Sequence, residues 1–384
     1  LEYMKVQRIR AGEYYGLMLM GAVGMMLMSS AVELLLIFIA LEISSISTYV
    51  LAGFRRRAAT SIESSLKYFL LGSFATAFFL YGVALMFGAT GSTSIDHIAQ
   101  VLRAGAPALA YVAMALMFVG LGFKIASAPF HVWTPDVYEG APSPVVALMS
   151  TAPKAAVFAV MLRILFAASA PGWFWLIWVS AALSMTLGNL GALVQTNVKR
   201  MLAYSSIAHA GYLLVAFAAA QEVGISAAIF YAATYAVMNA GAFLVISHFG
   251  SVGERYVTLE DYAGLGRRAP ALAAILTVFM LSLIGIPATG GFFAKFYVFN
   301  AAMQSNLLWL TIIGVVNSAI AAYYYLRVVV YMYMREPDAD APALTMPATV
   351  GVSLALSALV TIYLGVLPGR VLEYALQSAR DLMR

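Results

Sequence analysis

Long apolar stretches separated by short polar segments run through the whole chain. Each stretch has about 18 or more residues and few charges, so that as an α-helix it can cross the ~30 Å hydrocarbon core of a bilayer. Strict alternation of apolar and polar residues, the pattern of a membrane β-barrel, is absent from the sequence. The pattern therefore predicts an all-α polytopic membrane protein. The eleven predicted transmembrane helices are residues 12–30, 31–54, 62–89, 107–130, 145–168, 173–195, 201–220, 223–249, 270–303, 306–334 and 346–367.

Polar segments between these spans are predicted to lie outside the membrane. Residues 90–106 should form a loop with a short amphipathic turn around Ile95 to Val101. Residues 250–269 should form a polar loop, and residues 335–345 are rich in proline and aspartate. Because the chain starts at Leu1, we expect either an unusual start codon or a missing natural N-terminus.

The composition supports this class of protein. Hydrophobic residues make up 63% of the chain and charged residues 10%, whereas a soluble domain carries about 25% charged residues. The lack of cysteine excludes disulfides and thiolate-ligated clusters, and the four histidines have no metal-ligand spacing. Methionine and aromatic residues are abundant but follow no cofactor pattern, and we interpret them as lipid-facing and packing residues.

The basic residues indicate which side of the membrane each loop faces. When the eleven spans alternate in direction, twelve of the 22 Lys and Arg residues fall on one side and four on the other. The positive-inside rule assigns the richer side to the cytoplasm, so we expect a cytoplasmic N-terminus and a periplasmic C-terminus. The same rule accounts for the net charge of +5 without a nucleic-acid partner.

The other six basic residues lie inside the predicted spans. Lys124, Lys154 and Lys295 are too far from a span end for the side chain to reach the interface. A lysine at mid-membrane costs about 2.5–3.5 kcal/mol on insertion scales, so three of them together indicate a functional site. The alternative for each is an ion pair or a water-filled pocket without a role in transport.

Glu42, in the second predicted span, is the best candidate partner for Lys124. Lysine in water has a pKa near 10.4; desolvation lowers that pKa, and a nearby carboxylate raises it. A Glu42 that approaches and withdraws would switch Lys124 between holding and releasing a proton, with Lys154 and Lys295 as further stations. His209, in the seventh span, is either a proton relay or a satisfied core histidine, since the pKa of free histidine is near 6.5.

Two predicted spans contain helix-breaking residues. Pro129 follows Lys124 in the fourth span and has no N–H to donate, so it is predicted to break that helix. Pro287, with Gly290 and Gly291, is predicted to break the ninth span. Irregular backbone at membrane depth is tolerated only where protein or water satisfies it, which favours a site at each break. Ordinary packing is the alternative, because Pro and Gly are frequent in membrane helices.

One broken helix in each half indicates an internal repeat within a single membrane domain, residues 1–384. Residues 12–168 and 173–335 are predicted to form two five-helix repeats, followed by a C-terminal helix and tail at residues 346–384. Because each unit has an odd number of spans, the second repeat is inverted, as in many transporters.

Three polar residues follow the first break at the cytoplasmic end of the fourth span. They are His131, Asp136 and Glu139. They are predicted either to admit protons from the cytoplasm or to form an ordinary interfacial loop.

These motifs together resemble subunit N of bacterial proton-pumping NADH–quinone oxidoreductase, respiratory complex I. The resemblance covers essentially the whole chain and is carried by residues 120–142, 196–209 and 285–297. The form Thr-Pro-Asp-Val-Tyr at residues 134–138 is closer to subunit N than to the sister subunits or to related cation/proton antiporter subunits.

The resemblance implies a fourteen-helix fold with two inverted five-helix repeats, of which the three N-terminal helices, outside the repeats, are expected to be missing here. It implies that Glu42 and Lys124 form the modulating pair, that Lys154 links two half-channels and that Lys295 is the exit-side lysine. It also implies that this subunit holds no cofactor, because NADH, FMN, the iron–sulfur clusters and quinone bind elsewhere in the complex.

The expected partners are the lipid bilayer and other membrane subunits, both antiporter-like and small, and the expected location is the bacterial inner membrane. Two alternatives remain open at this point. One is a sodium/proton antiporter subunit, and the other is a structural membrane-arm subunit that conducts nothing.

Overall fold

Helices make up nearly all of the described chain. The structure, a computed structural model, describes residues 2–7, 9, 12–168, 172–219, 221–250, 252–337 and 346–383. Its regular elements are α-helices and two 3-10 turns, Val252–Glu254 and Glu260–Tyr262. The helices are α1 (Glu2–Val6), α2 (Gly12–Ser30), α3 (Leu34–Ala52), α4 (Ala59–Thr90), α5 (Ile95–Gly105), α6 (Ala108–Ile125), α7 (Thr134–Gly140), α8 (Ser143–Met149), α9 (Ala152–Ala168), α10 (Gly172–Leu193), α11 (Val198–Ala218), α12 (Glu222–Phe249), α13 (Leu265–Arg268), α14 (Pro270–Ile284), α15 (Gly290–Gln304), α16 (Leu308–Met334), α17 (Ala348–Val366) and α18 (Gly369–Met383).

Many of these helices are long and apolar enough to cross a membrane. The described residues contain nine such segments, or ten if the bent pair Glu260–Arg268 and Pro270–Ile284 is one span. One of them, Ser143–Ile164, joins α8 to α9. The prediction of an all-α multi-pass membrane protein is therefore confirmed. The number eleven stays a prediction, because α14 and α15, which together cover the ninth predicted span, have only 15 residues each.

Two amphipathic segments form longer helices than the sequence indicated. The loop at residues 90–106 contains the 11-residue helix α5, which buries Ile98 and Leu102 and packs on α9. The tail forms α18, whose Ala375 and Ala379 are buried against α12. Both helices are stabilised by tertiary packing of an apolar face, which a short sequence window does not show.

Helix α11 lies at the centre of the molecule. In the most apolar 18-residue segment of α11, 94% of the residues are buried. The corresponding share for α17, at the periphery, is 28%. Its first turn is capped by Asn197, whose side chain accepts a hydrogen bond from the Arg200 N–H at 3.1 Å. It contacts α7, α10, α12 and α15, so that side chains on several of its faces meet other helices instead of lipid.

The first break lies between α6 and α7. Helix α6 ends at Ile125, and Ala126 adopts a left-handed conformation with φ of 60°. Pro129, predicted to break this helix, lies inside the break, which begins at Ala126. Its part in causing the break stays a prediction. Both backbone groups of Ala128 bind serine hydroxyls of α10. The N–H donates to Ser184 Oγ and the carbonyl accepts from Ser180 Oγ, both at 2.7 Å.

The second break lies between α14 and α15. Helix α14 ends at Ile284, followed by Gly285 with φ of 90°, and Pro287 lies in the connecting turn. Gly290 and Gly291, predicted as part of the break, are instead the first two residues of α15. The N–H of Gly291 donates to Ser282 Oγ at 3.1 Å, which fastens the start of α15 to the end of α14.

Replacing Gly291 with alanine is expected to destabilise this break. A Cβ there would lie 1.8 Å from the carbonyl oxygen of Ser282, so α15 must move away from α14. We expect a loss of about 3 kcal/mol, as for other overpacked sites, and a lower midpoint of thermal unfolding for the purified protein. Gly351→Ala is the matched control, since its Cβ would make only an ordinary contact with Met346 at 3.5 Å. Equal midpoints for the two variants would contradict the prediction.

Candidate functional site

Lys124 lies in the last turn of α6, the helix before the first break, and is 4% exposed. Its Nζ donates to Ser45 Oγ on α3 at 2.9 Å and to the Tyr68 hydroxyl on α4 at 3.1 Å. The same Nζ lies 5.4 Å from the centre of the Tyr49 ring and 5.2 Å from that of Tyr68. Two hydroxyls and two aromatic faces thus surround the ammonium, all of them neutral groups.

Glu42 does not contact Lys124. Within the described part of the chain the two form no ion pair, because the hydroxyls of Ser45 and Tyr68 bind the lysine instead. Glu42 lies on α3, one helical turn before Ser45, and its Oε1 is buried without a hydrogen-bond partner. An unsatisfied carboxylate oxygen is costly in a buried position and points to a functional role.

Lys154, on α9, is 3% exposed and binds α11. Its Nζ donates to the carbonyl oxygen of Ser206 at 3.1 Å and to Ser206 Oγ at 2.7 Å. The Tyr235 hydroxyl donates to the same Oγ at 2.9 Å. A small cavity of about 20 Å³ adjoins the lysine and is lined by His209, Tyr231 and Tyr235 among others.

His209, one turn after Ser206 on α11, joins this group through two tyrosines. Its Nδ1 lies 2.6 Å from the Tyr231 hydroxyl and its Nε2 lies 3.3 Å from the Tyr325 hydroxyl. Tyr325 also hydrogen-bonds Ser205. The structure therefore brings Lys154 and His209 to one cavity, with hydroxyl groups on both sides of the histidine ring.

Lys295, on α15, binds the end of α14 across the second break. Its Nζ donates to the carbonyl oxygens of Leu283 at 3.0 Å and Ile284 at 2.9 Å, and to Ser318 Oγ at 2.9 Å. It also lies 4.8 Å from the centre of the Tyr212 ring. The last carbonyls of a helix carry partial negative charge and suit an ammonium group, so the break supplies the ligands of this lysine.

A buried polar chain runs from the His209 group to Lys295. Tyr324 packs on Tyr325 with ring centres 4.4 Å apart, and its hydroxyl donates to Asn189 Oδ1 at 2.9 Å. Asn189 Nδ2 lies 3.3 Å from the hydroxyl of Tyr212, the residue beneath Lys295. All of these side chains are buried.

These tyrosines and the asparagine were not predicted from the sequence. Aromatic residues were interpreted as packing groups, whereas Tyr68, Tyr235 and Tyr325 place hydroxyls on the buried lysine and histidine groups. Spacing offered one signal: Tyr231 and Tyr235 are four residues apart on α12 and so lie on the same helix face.

Asp136 and Glu139 lie together on α7, but His131 lies apart from their ion pairs. Asp136 pairs with Lys67 at 2.7 Å and Arg200 at 2.6 Å, and Glu139 pairs with Arg200 at 2.9 Å. Burial alone would raise the pKa of Asp136, but hydrogen bonds from Lys67 and Arg200 lower it below the ordinary value. Burial lowers the pKa of His131, whose Nδ1 is buried without a partner.

The remaining cations inside the predicted spans bind helix ends or carboxylates. Arg163 donates to the carbonyls of Ser30 and Ala31 at the end of α2. Arg327 donates to the carbonyls of Leu193 and Gln195 at the end of α10. Lys67 pairs with the carboxylates of Glu63 and Asp136, so it has the counter-charge that the three buried lysines lack.

Among the described residues no group of three or more His, Asp and Glu side chains is arranged to hold a metal ion. The prediction that this chain holds no cofactor stays a prediction, since it rests on the resemblance alone.

A family model described as "NADH:quinone oxidoreductase/Mrp antiporter, TM" matches residues 31–321. The chain is 72% identical over 385 residues to NADH-quinone oxidoreductase subunit N 2 of Koribacter versatilis (strain Ellin345), covering 100% of this chain and 78% of that protein. It is 51% identical to subunit N 1 of Solibacter usitatus (strain Ellin6076), covering 99% of this chain and 79% of that protein.

Solved structures give the same picture. A chain of respiratory complex I from Thermus thermophilus has a TM-score of 0.84 and 42% identity, covering 95% of this chain and 81% of that chain. A chain of the Mrp complex from Dietzia sp. DQ12-45-1b has a TM-score of 0.85 at 23% identity, over 96% of this chain and 77% of that chain, and so shares the fold.

Proposed function

Because the chain belongs to the family of NADH–quinone oxidoreductase subunit N, we propose that it is a membrane-arm subunit of respiratory complex I that translocates protons. Electron transfer from NADH to quinone takes place in other subunits and drives the translocation. The proposed relay is Glu42, Lys124, Lys154, His209 and Lys295, connected by hydroxyl groups.

One observation carries this proposal: the three buried lysines have only neutral partners. Within the described residues no carboxylate pairs with Lys124, Lys154 or Lys295, and their hydrogen bonds go to hydroxyls and carbonyls. Lys199 differs from these three lysines: it is equally buried, but it pairs with a carboxylate, that of Glu254, at 2.6 Å. A buried ammonium without a counter-charge gives up its proton more readily than a paired one, which suits a carrier of protons.

The buried tyrosines and serines supply the connections that proton transfer needs. Proton transfer requires groups within hydrogen-bond reach or bridged by one water. Lys154, Ser206 and Tyr235 satisfy this by direct contact, as do His209 and Tyr325. Glu42 lies one helical turn before Ser45 on α3. It would exchange protons with Lys124 through the hydroxyl of Ser45, which binds the lysine. These contacts support two segments of the path, one around Lys124 and one around Lys154 and His209, which we propose are joined.

We also propose that the two inverted repeats, residues 12–168 and 173–335, each supply one half of this path. The first break adjoins Lys124 and the second adjoins Lys295, which supports the pairing of the halves. The location would be the bacterial inner membrane with the N-terminus cytoplasmic, on the strength of the basic residues. Flavin, iron–sulfur clusters and quinone would bind other subunits, in line with the lack of cysteine in this chain.

Lys124→Ala and Glu42→Ala in the assembled complex test the proposal. Both variants are expected to lower proton pumping and the coupled quinone reduction by about threefold to tenfold, the usual range for residues that modulate coupling. The measurements are the rates of proton uptake and of NADH oxidation in proteoliposomes, with subunit content checked by gel.

Wild-type pumping by an assembled Lys124→Ala complex would rule out the relay. Proton flux that requires sodium, in vesicles lacking the other subunits, would favour the sodium/proton antiporter subunit instead.

A further inference from the structure

A buried ion pair, Glu254 with Lys199, lies outside the proposed relay. Glu254, in the 3-10 turn after α12, has a side chain that is 2% exposed and pairs with Lys199, which is 1% exposed, at 2.6 Å. Arg55 lies 3.5 Å from the same Oε2 atom. Burying a carboxylate and a lysine together is stabilising only when further hydrogen bonds satisfy both groups.

The other carboxylate oxygen of Glu254 provides those bonds. Its Oε1 accepts from the backbone N–H of Ser143 at 2.6 Å and from the Tyr3 hydroxyl at 2.8 Å. Burial alone would raise the pKa of Glu254, but the charge of Lys199 and these hydrogen bonds lower it below the ordinary value. The carboxylate is therefore ionised at neutral pH.

The contact with Ser143 is an N-terminal cap supplied from another part of the chain. Ser143 is the first residue of α8, and Pro142 before it makes no side-chain cap. Oxygen acceptors at this position stabilise a helix by binding its free N–H groups. Since α8 and α9 form the span Ser143–Ile164, Glu254 holds the start of the span that carries Lys154.

The partner lysine holds the neighbouring span. Lys199 is the second residue of α11, and its Nζ also donates to the Ala141 carbonyl, just before α8, at 2.7 Å. Helix α11 carries Ser206, the residue that Lys154 binds. Glu254 and Lys199 thus tie together the starts of the two spans whose side chains meet in the relay.

The backbone at Glu254 is itself constrained. Its φ is 51°, in the left-handed region that a non-glycine residue adopts only when the surroundings require it. The carbonyl of Gly253 accepts from Arg55 at 2.7 Å. Further along the loop, the Val198 N–H donates to the Val257 carbonyl at 2.8 Å, fastening the loop to α11.

We propose that Glu254 is a positioning residue of the relay, whose carboxylate sets the start of the Lys154 span relative to α11. The consequence for pumping rests on the proposed function. Loss of the oxygen that binds Ser143 would let the start of α8 move and lengthen the contact between Lys154 and Ser206.

Two double variants that remove the buried Lys199–Glu254 pair test this in the assembled complex. Lys199→Met/Glu254→Gln keeps a carbonyl oxygen for Ser143, whereas Lys199→Met/Glu254→Leu removes it with little change in volume. The readouts are amide hydrogen–deuterium exchange of residues 143–149 and protons pumped per NADH oxidised in proteoliposomes. In the leucine variant we expect exchange about fivefold faster, the effect of losing a cap, and pumping lower by about threefold. The glutamine variant should stay within about twofold of wild type in both readouts.

Equal exchange or equal pumping in the two variants would overturn the inference. Lys154→Met, measured alongside, separates the two proposals. If that variant pumps normally, the relay is wrong and the inference falls with it. If it does not pump and the two double variants still behave alike, the relay stands and the positioning role of Glu254 is wrong.

Discussion

Replacing Lys154 with methionine is expected to stop proton transfer through this subunit without destabilising it. The ammonium of Lys154 donates to both the carbonyl oxygen and Oγ of Ser206, and a thioether cannot carry a proton. A group that transfers protons directly accelerates the step by about a hundredfold or more, so we expect at least that loss in the step. Proton uptake per NADH oxidised measures the effect.

The stability of the Lys154→Met variant distinguishes this result from misfolding. Methionine has a similar volume and carries no charge, and replacing buried ionic groups by apolar ones is often neutral or stabilising by about 1–4 kcal/mol. We therefore expect an unchanged or higher midpoint of thermal unfolding. The hydroxyl of Ser206 keeps its bond from Tyr235 at 2.9 Å.

Lys5→Met is the matched control for Lys154→Met, because it also removes one lysine charge. Lys5 has a side chain that is 70% exposed and pairs only with Glu2, so pumping should stay at the wild-type ratio. Wild-type pumping in the Lys154 variant would contradict the prediction, and so would a loss of pumping that follows a loss of assembly.

The class of fold and the buried lysines could be predicted from the sequence because their signals are local. A run of apolar residues long enough to span the bilayer is visible in one window, and a lysine inside that run is costly wherever its side chain points. The three lysines are indeed at most 5% exposed in the structure.

The contacts of the lysines could not be predicted, because they depend on how separate helices meet. Glu42 was expected to bind Lys124, but Ser45, one turn further along the same helix, does so. A rotation of α3 by a few tens of degrees decides between the two, and no spacing within the sequence fixes that rotation. Apart from the spacing of Tyr231 and Tyr235, the hydroxyl groups carried no signal, since tyrosine and serine are common in membrane helices as packing residues.

Glu254 was missed for a related reason. In the sequence it lies in a polar loop between Gly253 and Arg255, where an exposed side chain is the usual outcome. Its burial follows from the packing of α1, α8 and α11 around the loop, which brings Tyr3, Ser143 and Lys199 to one carboxylate. Contacts between residues so far apart in the chain produce no periodic pattern in the sequence.

Replacing Lys295 is expected to reveal two separate roles of one side chain. Lys295→Met removes the donor to the carbonyls of Leu283 and Ile284 at the end of α14. The Ile284 carbonyl keeps a long hydrogen bond from Ser318 Oγ at 3.4 Å, whereas the Leu283 carbonyl loses the bond from the lysine. A buried group left without its partner costs about 1–3 kcal/mol, so we expect a loss of that size in stability as well as a loss of pumping. This distinguishes Lys295 from Lys154, whose removal should cost no stability.

Lys295→Arg separates the two roles. Arginine retains N–H donors for the two carbonyls, so the midpoint of thermal unfolding should return towards that of the wild type. Its guanidinium does not lose a proton at physiological pH, so proton transfer at this station should remain slower by about a hundredfold or more. Thermal unfolding and proton uptake per NADH are measured on the same preparations. An arginine variant that pumps normally would show that the ammonium of Lys295 only holds the break between α14 and α15, and that protons reach the far side of the membrane without being carried by this lysine.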